Sequence, residues 1–224
     1  MSGLYVTGTD GADNQTTMPA TVMAADPPHN ITHFLHTGDT ARYFSPQLSV
    51  LNYFDTNLPA DDTWHNYTGQ EQFAMQWYMY PATGSELNVS SVDAVIWITG
   101  EIGTGQPNMA GSVEVYEVTE QDVLALDFNG TQIGLYNIPS NTPIYTYPPS
   151  APMIFTVNTS HVFAVNSTLR CVLTINPGTS GGGVGSQYTN VKFFWDSYHL
   201  FDSRLILHTE NPLTIDDAST LDNE

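Results

Sequence analysis

Basic side chains are nearly absent from this chain. Arg42, Arg170, Lys192 and Arg204 stand alone against 23 Asp and Glu in 224 residues, a formal net charge of −19. Four scattered cations cannot neutralise a run of phosphates, so nucleic acid is not an expected partner. Cysteine is reduced to Cys171, which excludes an internal disulfide and a cysteine-based zinc site. No apolar run approaches the roughly eighteen residues that a membrane-spanning helix needs. The opening MSGLYVTGTDGADNQTT has neither the basic start nor the apolar centre of a secretion signal. Either an upstream signal has been removed or the protein is made and assembled inside the cell, and Met1 favours the second. No segment keeps helical periodicity for three turns, and no GxSxG marks a nucleophile on a strand-to-helix turn.

What is present is a well-packed, turn-rich chain, 41% apolar and 12% aromatic, with 17 Gly and 14 Pro. A composition of this kind builds a globule and not a disordered acidic tail. The acids are scattered along it, from Asp61-Asp62 through Glu114, Glu117, Glu120, Asp122, Asp127, Asp196 and Asp202 to Asp216-Asp217. Such a surface repels itself in dilute buffer, whereas molar salt shortens the screening length to about 3 Å and leaves the carboxylates to hold water. A halophilic setting is therefore expected.

Period-two alternation bounded by Gly, Pro, Asn and Asp recurs from about residue 70 onward. It predicts strands over 72–80, 92–99, 112–119, 124–128, 132–136, 153–157, 161–165, 168–175, 190–195 and 203–208. Turn signals between them favour an all-β fold, a jelly-roll sandwich with an extended N-terminal arm and loop or tower embellishments. The expected division is an arm with covering loops over 1–70, partly β, the sandwich over 71–208 and an acidic tail over 209–224. Within the sandwich, IPSNTPIYTYPPSAP (138–152) reads as an extended strap that crosses a sheet edge or lies on a neighbour. NPGTSGGGVGSQ, from Asn176, reads as a flexible loop.

Several groupings hold side chains capable of chemistry. HNITHFLHTGD offers His29, His33, His36 and Asp39 to a metal, but Pro27-Pro28 and β-rich neighbours favour ordinary polar residues on a loop or strand. TDGADN, with Asp10, Asp13 and Asn14, lacks the length of a calcium loop. In DSYHLFDS, Asp196, Ser197, His199 and Asp202 are close in sequence, yet a β-turn uses the same residue types. Seven Asn-x-Ser/Thr sites, at Asn14, Asn30, Asn66, Asn88, Asn129, Asn158 and Asn166, are glycan acceptors or simply a polar surface. Trp64, Trp77, Trp97 and Trp195 fit either packing or a sugar platform. Cys171 alternates with apolar Leu169, Leu173 and Ile175, so it is either a buried small residue or a bridge between subunits. No catalytic residue and no cofactor site is expected, and the chain is read as not an enzyme.

A small β-rich chain, an acid excess suited to brine, an extended N-terminal region and a proline strap together resemble the single jelly-roll major capsid proteins of internal-membrane icosahedral viruses of halophilic archaea, and by length the larger of their two. That resemblance implies a virion subunit, assembled in the host cytoplasm, that forms pseudo-hexameric capsomers with itself and a related capsid protein. It also implies contact with other virion proteins, proximity to an internal membrane without spanning it, and Cys171 as a bridge to a partner. Pro143, Tyr145, Tyr147, Pro148 and Pro149 of the strap are the other expected interface residues. The alternatives are a decoration, turret or fibre protein of a haloarchaeal tailed virus and an adhesive or carbohydrate-binding module of a haloarchaeal cell surface.

Overall fold

The computed structural model describes residues 5–9, 15–19, 29–36, 53–56, 65–79, 83–103, 105–119, 130–180, 187–195 and 201–211. Every regular element among them is a β-strand. In chain order these are β1 (Tyr5–Thr9), β2 (Gln15–Pro19), β3 (His29–His36), β4 (Tyr53–Asp55), β5 (His65–Gly69), β6 (Phe73–Met79), β7 (Leu87–Glu101), β8 (Asn108–Thr119), β9 (Thr131–Pro143), β10 (Met153–Phe163), β11 (Ser167–Pro177), β12 (Thr179–Ser180), β13 (Gln187–Tyr188), β14 (Asn190–Trp195) and β15 (Arg204–Thr209).

Eight of them build a jelly roll. One sheet runs β3-β15-β7-β10 and the other β6-β11-β8-β9, all antiparallel. Counted along the chain, these are strands 1-8-3-6 and 2-7-4-5, the order of two nested Greek keys. The short β4 joins the sheets on one side, antiparallel to β3 and parallel to β6. On the other side β9 meets β10. Gly134 permits that approach, because a Cβ there would stand 2.5 Å from Val157 Cγ1.

Alternation explains the faces. On β7, Val92, Ala94, Ile96 and Ile98 point inward and are buried. They meet Val113 and Val115 of β8 and Leu169, Leu173 and Ile175 of β11. Trp77 of β6 reaches across to β14, edge-on to Phe193 at 5.7 Å and Trp195 at 6.1 Å. Each such ring pair adds about 0.5–1.5 kcal/mol beyond the area it buries.

Strands β7, β8, β9 and β11 extend the expected ones, and two boundaries are revised. The two segments 153–157 and 161–165 are one strand, β10, interrupted by a register shift between Asn158 and His161 where Ser160 takes a φ of 51°. The expected arm over 1–70 does not describe 29–36. There β3 is the first strand of the jelly roll, with Leu35 in the core, because Ile31, His33 and Leu35 alternate inward opposite Leu207 and Leu205 of β15. The glycine-rich loop carries a short β12–β13 pairing at its base, and its centre, 181–186, lies outside the described residues. So do the expected strand over 124–128 and the tail beyond 211.

Candidate functional site

The strap is built onto the second half of β7. β7 has β15 along its first half and β14 along Trp97 to Glu101 on the same edge. The opposite edge of that second half would be bare where β10 ends, and the strap occupies it. β9 ends at Pro143, and Ile144 plugs inward, 2% exposed. Its N–H donates to the Pro107 carbonyl at 3.0 Å, and its own carbonyl accepts from Gln106 Nε2 at 2.8 Å. Gly100 N–H then donates to the Tyr145 carbonyl at 2.8 Å, in a parallel bridge between Thr99 and Tyr145. A side chain at Gly100 would collide with this arrangement, since its Cβ would lie 2.7 Å from Ile144 Cδ1 and from Thr189 Cγ2.

Beyond Tyr145 the strap turns over the outer face of β14. The Tyr147 ring lies 6.2 Å from both Phe194 and Phe201, which are 4.8 Å apart, and Trp97 lies 5.5 Å from Phe201. Phe194 points outward yet is fully buried beneath this cap. The Lys192 ammonium sits 5.2 Å from the Phe194 ring and 5.6 Å from Tyr147, a cation–π contact that ties the cap to β14. Trp97 Nε1 donates to Asp202 at 3.1 Å, and Asp202 also pairs with Arg204 at 2.7 Å. Ser203 is buried and fully engaged, donating to the Phe194 carbonyl and accepting from Trp97 N–H. The Asp–Ser–His segment thus contributes Asp202 and Ser203 to a structural junction, and 196–200 lie outside the described residues.

Of the expected interface residues, Pro143, Tyr145, Tyr147 and Pro148 are exposed, whereas Pro149 is buried. Between the strap and β10 runs an open cleft of about 320 Å³, lined by Gln106, Pro143, Ile144, Tyr145, Pro152, Met153 and Ile154. Cys171 corrects an expectation. Its side chain is buried against the core and free, so it is not poised to bridge a partner. Burial, reinforced by the Glu114 carboxylate, pushes its thiol up to about 12.

The histidines do not converge on one point. His29 and His33 share a face of β3 but stand four residues apart, about 13 Å along an extended strand, and His36 faces the other way. Asp39 lies outside the described residues, as do Asp10, Asp13 and Asn14. Sequence reasoning missed a different histidine. His208 Nε2 lies 2.8 Å from Asp93 and its Nδ1 2.8 Å from Asn30 Oδ1, while Thr156 donates to Asp93 at 2.6 Å. This polar seam crosses all four strands of its sheet. Its members are too far apart in sequence for any local pattern to join them.

No family model and no curated protein matches this chain. Solved structures do. It is similar to a CocE/NonD family hydrolase from Staphylococcus aureus, at 10% identity and a TM-score of 0.50, over 92% of this chain and 41% of that one. It is also similar to an aminopeptidase from a marine sediment Thaumarchaeota archaeon, at 9% identity and a TM-score of 0.47, over 82% and 37%. A third similarity is to the VP2 protein of infectious bursal disease virus in T=1 particles, at 12% identity and a TM-score of 0.28, over 95% and 42%. The chain thus spans about two fifths of the length of these structures. At such identities a likeness shows fold alone. The expectation that the chain is not an enzyme is overturned here, because the Staphylococcus aureus hydrolase, at a TM-score of 0.50, has a similar fold and the scaffold is therefore one that an enzyme carries. A missing sequence motif does not exclude catalysis on it.

Proposed function

We propose that this chain is a virion structural protein, a jelly-roll capsid subunit that assembles with copies of itself and a related capsid protein into pseudo-hexameric capsomers in high salt. On this reading it is the larger of two capsid proteins of an internal-membrane virus of a halophilic archaeon, put together in the host cytoplasm. The observation that carries it is the complete eight-strand jelly roll on a chain of net charge −19. Packing such sandwiches side by side requires that their carboxylates be screened, and molar salt supplies the screening. The exposed strap rings support it further, since half-exposed Tyr side chains next to prolines favour protein contact over solvent.

The test is sedimentation and electron microscopy of the purified chain in molar NaCl, alone and after desalting. The reading expects closed multi-subunit assemblies in salt that dissociate or unfold on dilution. Particles unchanged by desalting, or a chain that stays monomeric in brine, would refute it. A β-domain that works only as part of a longer enzyme would show itself as such a monomer.

A further inference from the structure

We infer that the side of the sandwich formed by β9, the strap and β10 is the surface through which two copies of this chain meet. The inference rests on the proposed self-assembling role and names one twofold contact between copies. From Phe128 to Leu169 the chain has no Asp, Glu, Lys or Arg, although 27 such residues are spread over the remainder. The fold gathers residues 131–163 of this uncharged stretch in one place. β9 and β10 lie against one another where the sheets meet, with Tyr136 and Phe155 rings 5.6 Å apart and Gly134 against Val157, and the strap connects the two strands.

The same stretch holds Leu135, Tyr145, Tyr147, Ile154, Val162 and Val165, six of the seven large apolar side chains exposed among the described residues. Charges mark its borders. Glu114 stands beside Leu135 in register, Asp93 holds Thr156, and Glu117 pairs with His161.

Charge decides the occupant. A second copy also carries −19, so contact through most of its surface would bury carboxylates without partners, at several kcal/mol each. Two copies that present this face to each other bring together a stretch that has no charged side chain of its own. A neutral, apolar patch that repeats on both partners is what a twofold contact between like-charged subunits requires. A basic partner would instead be drawn to the acidic remainder.

Sedimentation velocity on the full chain in molar NaCl, over a concentration series, tests this with three variants. Ile154→Glu and Val162→Glu place a carboxylate at positions 61% and 52% exposed in the single chain, where folding is not at stake. Ala74→Glu puts the same charge on the exposed outer side of β6. We expect the first two to weaken self-association by about tenfold or more and the third by no more than about twofold. Equal association in all three and the unaltered chain would overturn the assigned face while leaving self-assembly intact. An unaltered chain that is monomeric throughout would remove both readings. Flotation of that monomer with phosphatidylglycerol vesicles, lost in Ile154→Glu, would assign the face to a lipid surface instead.

Discussion

Gly100 and Tyr145 are joined by a single backbone hydrogen bond of 2.8 Å, and that bond seats the strap on β7. Glycine is needed there because Ile144, Thr189 and Pro107 crowd the position a Cβ would take. Gly100→Ala should therefore lift the strap and cost about 1–3 kcal/mol, the usual range for overpacking a closed site. Denaturant unfolding reads the loss, and hydrogen exchange should show faster exchange across 144–147. An unchanged midpoint with unchanged exchange would mean that the strap is held elsewhere.

Cys171 should behave as core. With its thiol pushed up to about 12 by burial, almost no thiolate exists at pH 8. We expect a disulfide reagent to leave the folded chain unmodified in molar salt and to react at once after denaturation. Non-reducing electrophoresis should show no covalent dimer. Rapid labelling of the folded protein would place the thiol outside the core.

Much of the scaffold was legible because alternation is a local signal. The segment from Val92 to Thr99 declares both faces of β7 by itself, and SVEVYEVT does the same for β8. β3 was missed because its inward positions include His29 and His33, which read as polar, so the first strand of the jelly roll looked like part of an arm. The strap was legible as an extended apolar segment, but its partner was not. Nothing in the sequence ties Tyr147 to Lys192 and Phe194, or Asn30 to His208 and Asp93, because those contacts exist only after the sheets have formed.

Glu117 predicts a specific acid sensitivity. Burial alone would raise its carboxyl, but hydrogen bonds from Ser167, the Ala164 N–H and His161, with the His161 charge, outweigh burial and hold it below the ordinary 4.5. The folded state therefore binds this proton less readily than the unfolded chain does. The resulting stability is fully present above about pH 4.5 and is lost as pH falls through the lower folded value. Glu117→Gln should lower stability at neutral pH and flatten its decline on acidification. Denaturant midpoints between about pH 3 and 7, at fixed molar salt, measure both. Parallel curves for the two proteins would contradict the assignment.

Arg170 and Arg204 should respond differently to salt, although both lie on sheet faces. Arg170 is flanked in register by Tyr78 and Tyr116, with its guanidinium 4.1 Å over the Tyr116 ring, and Tyr116 in turn donates to Glu114. Tyr78 is buried, which raises it to about 12 despite the opposing pull of Arg170, and the Arg170 Nε beside it is shielded from water. An interaction away from water is weakly screened. Arg204 instead makes a partly exposed ion pair with Asp202, at side-chain exposures of 28% and 25%. Such pairs contribute roughly 0–1 kcal/mol and fade in molar salt. Arg170→Ala should therefore cost about 1–2 kcal/mol in dilute and concentrated KCl alike, with Arg170→Lys recovering part of it. Arg204→Ala should have an effect that shrinks toward zero as salt rises. If both losses shrank together in denaturant titrations over a KCl series, Arg170 would be acting as one more surface charge and not as the cation that holds β6, β11 and β8 together.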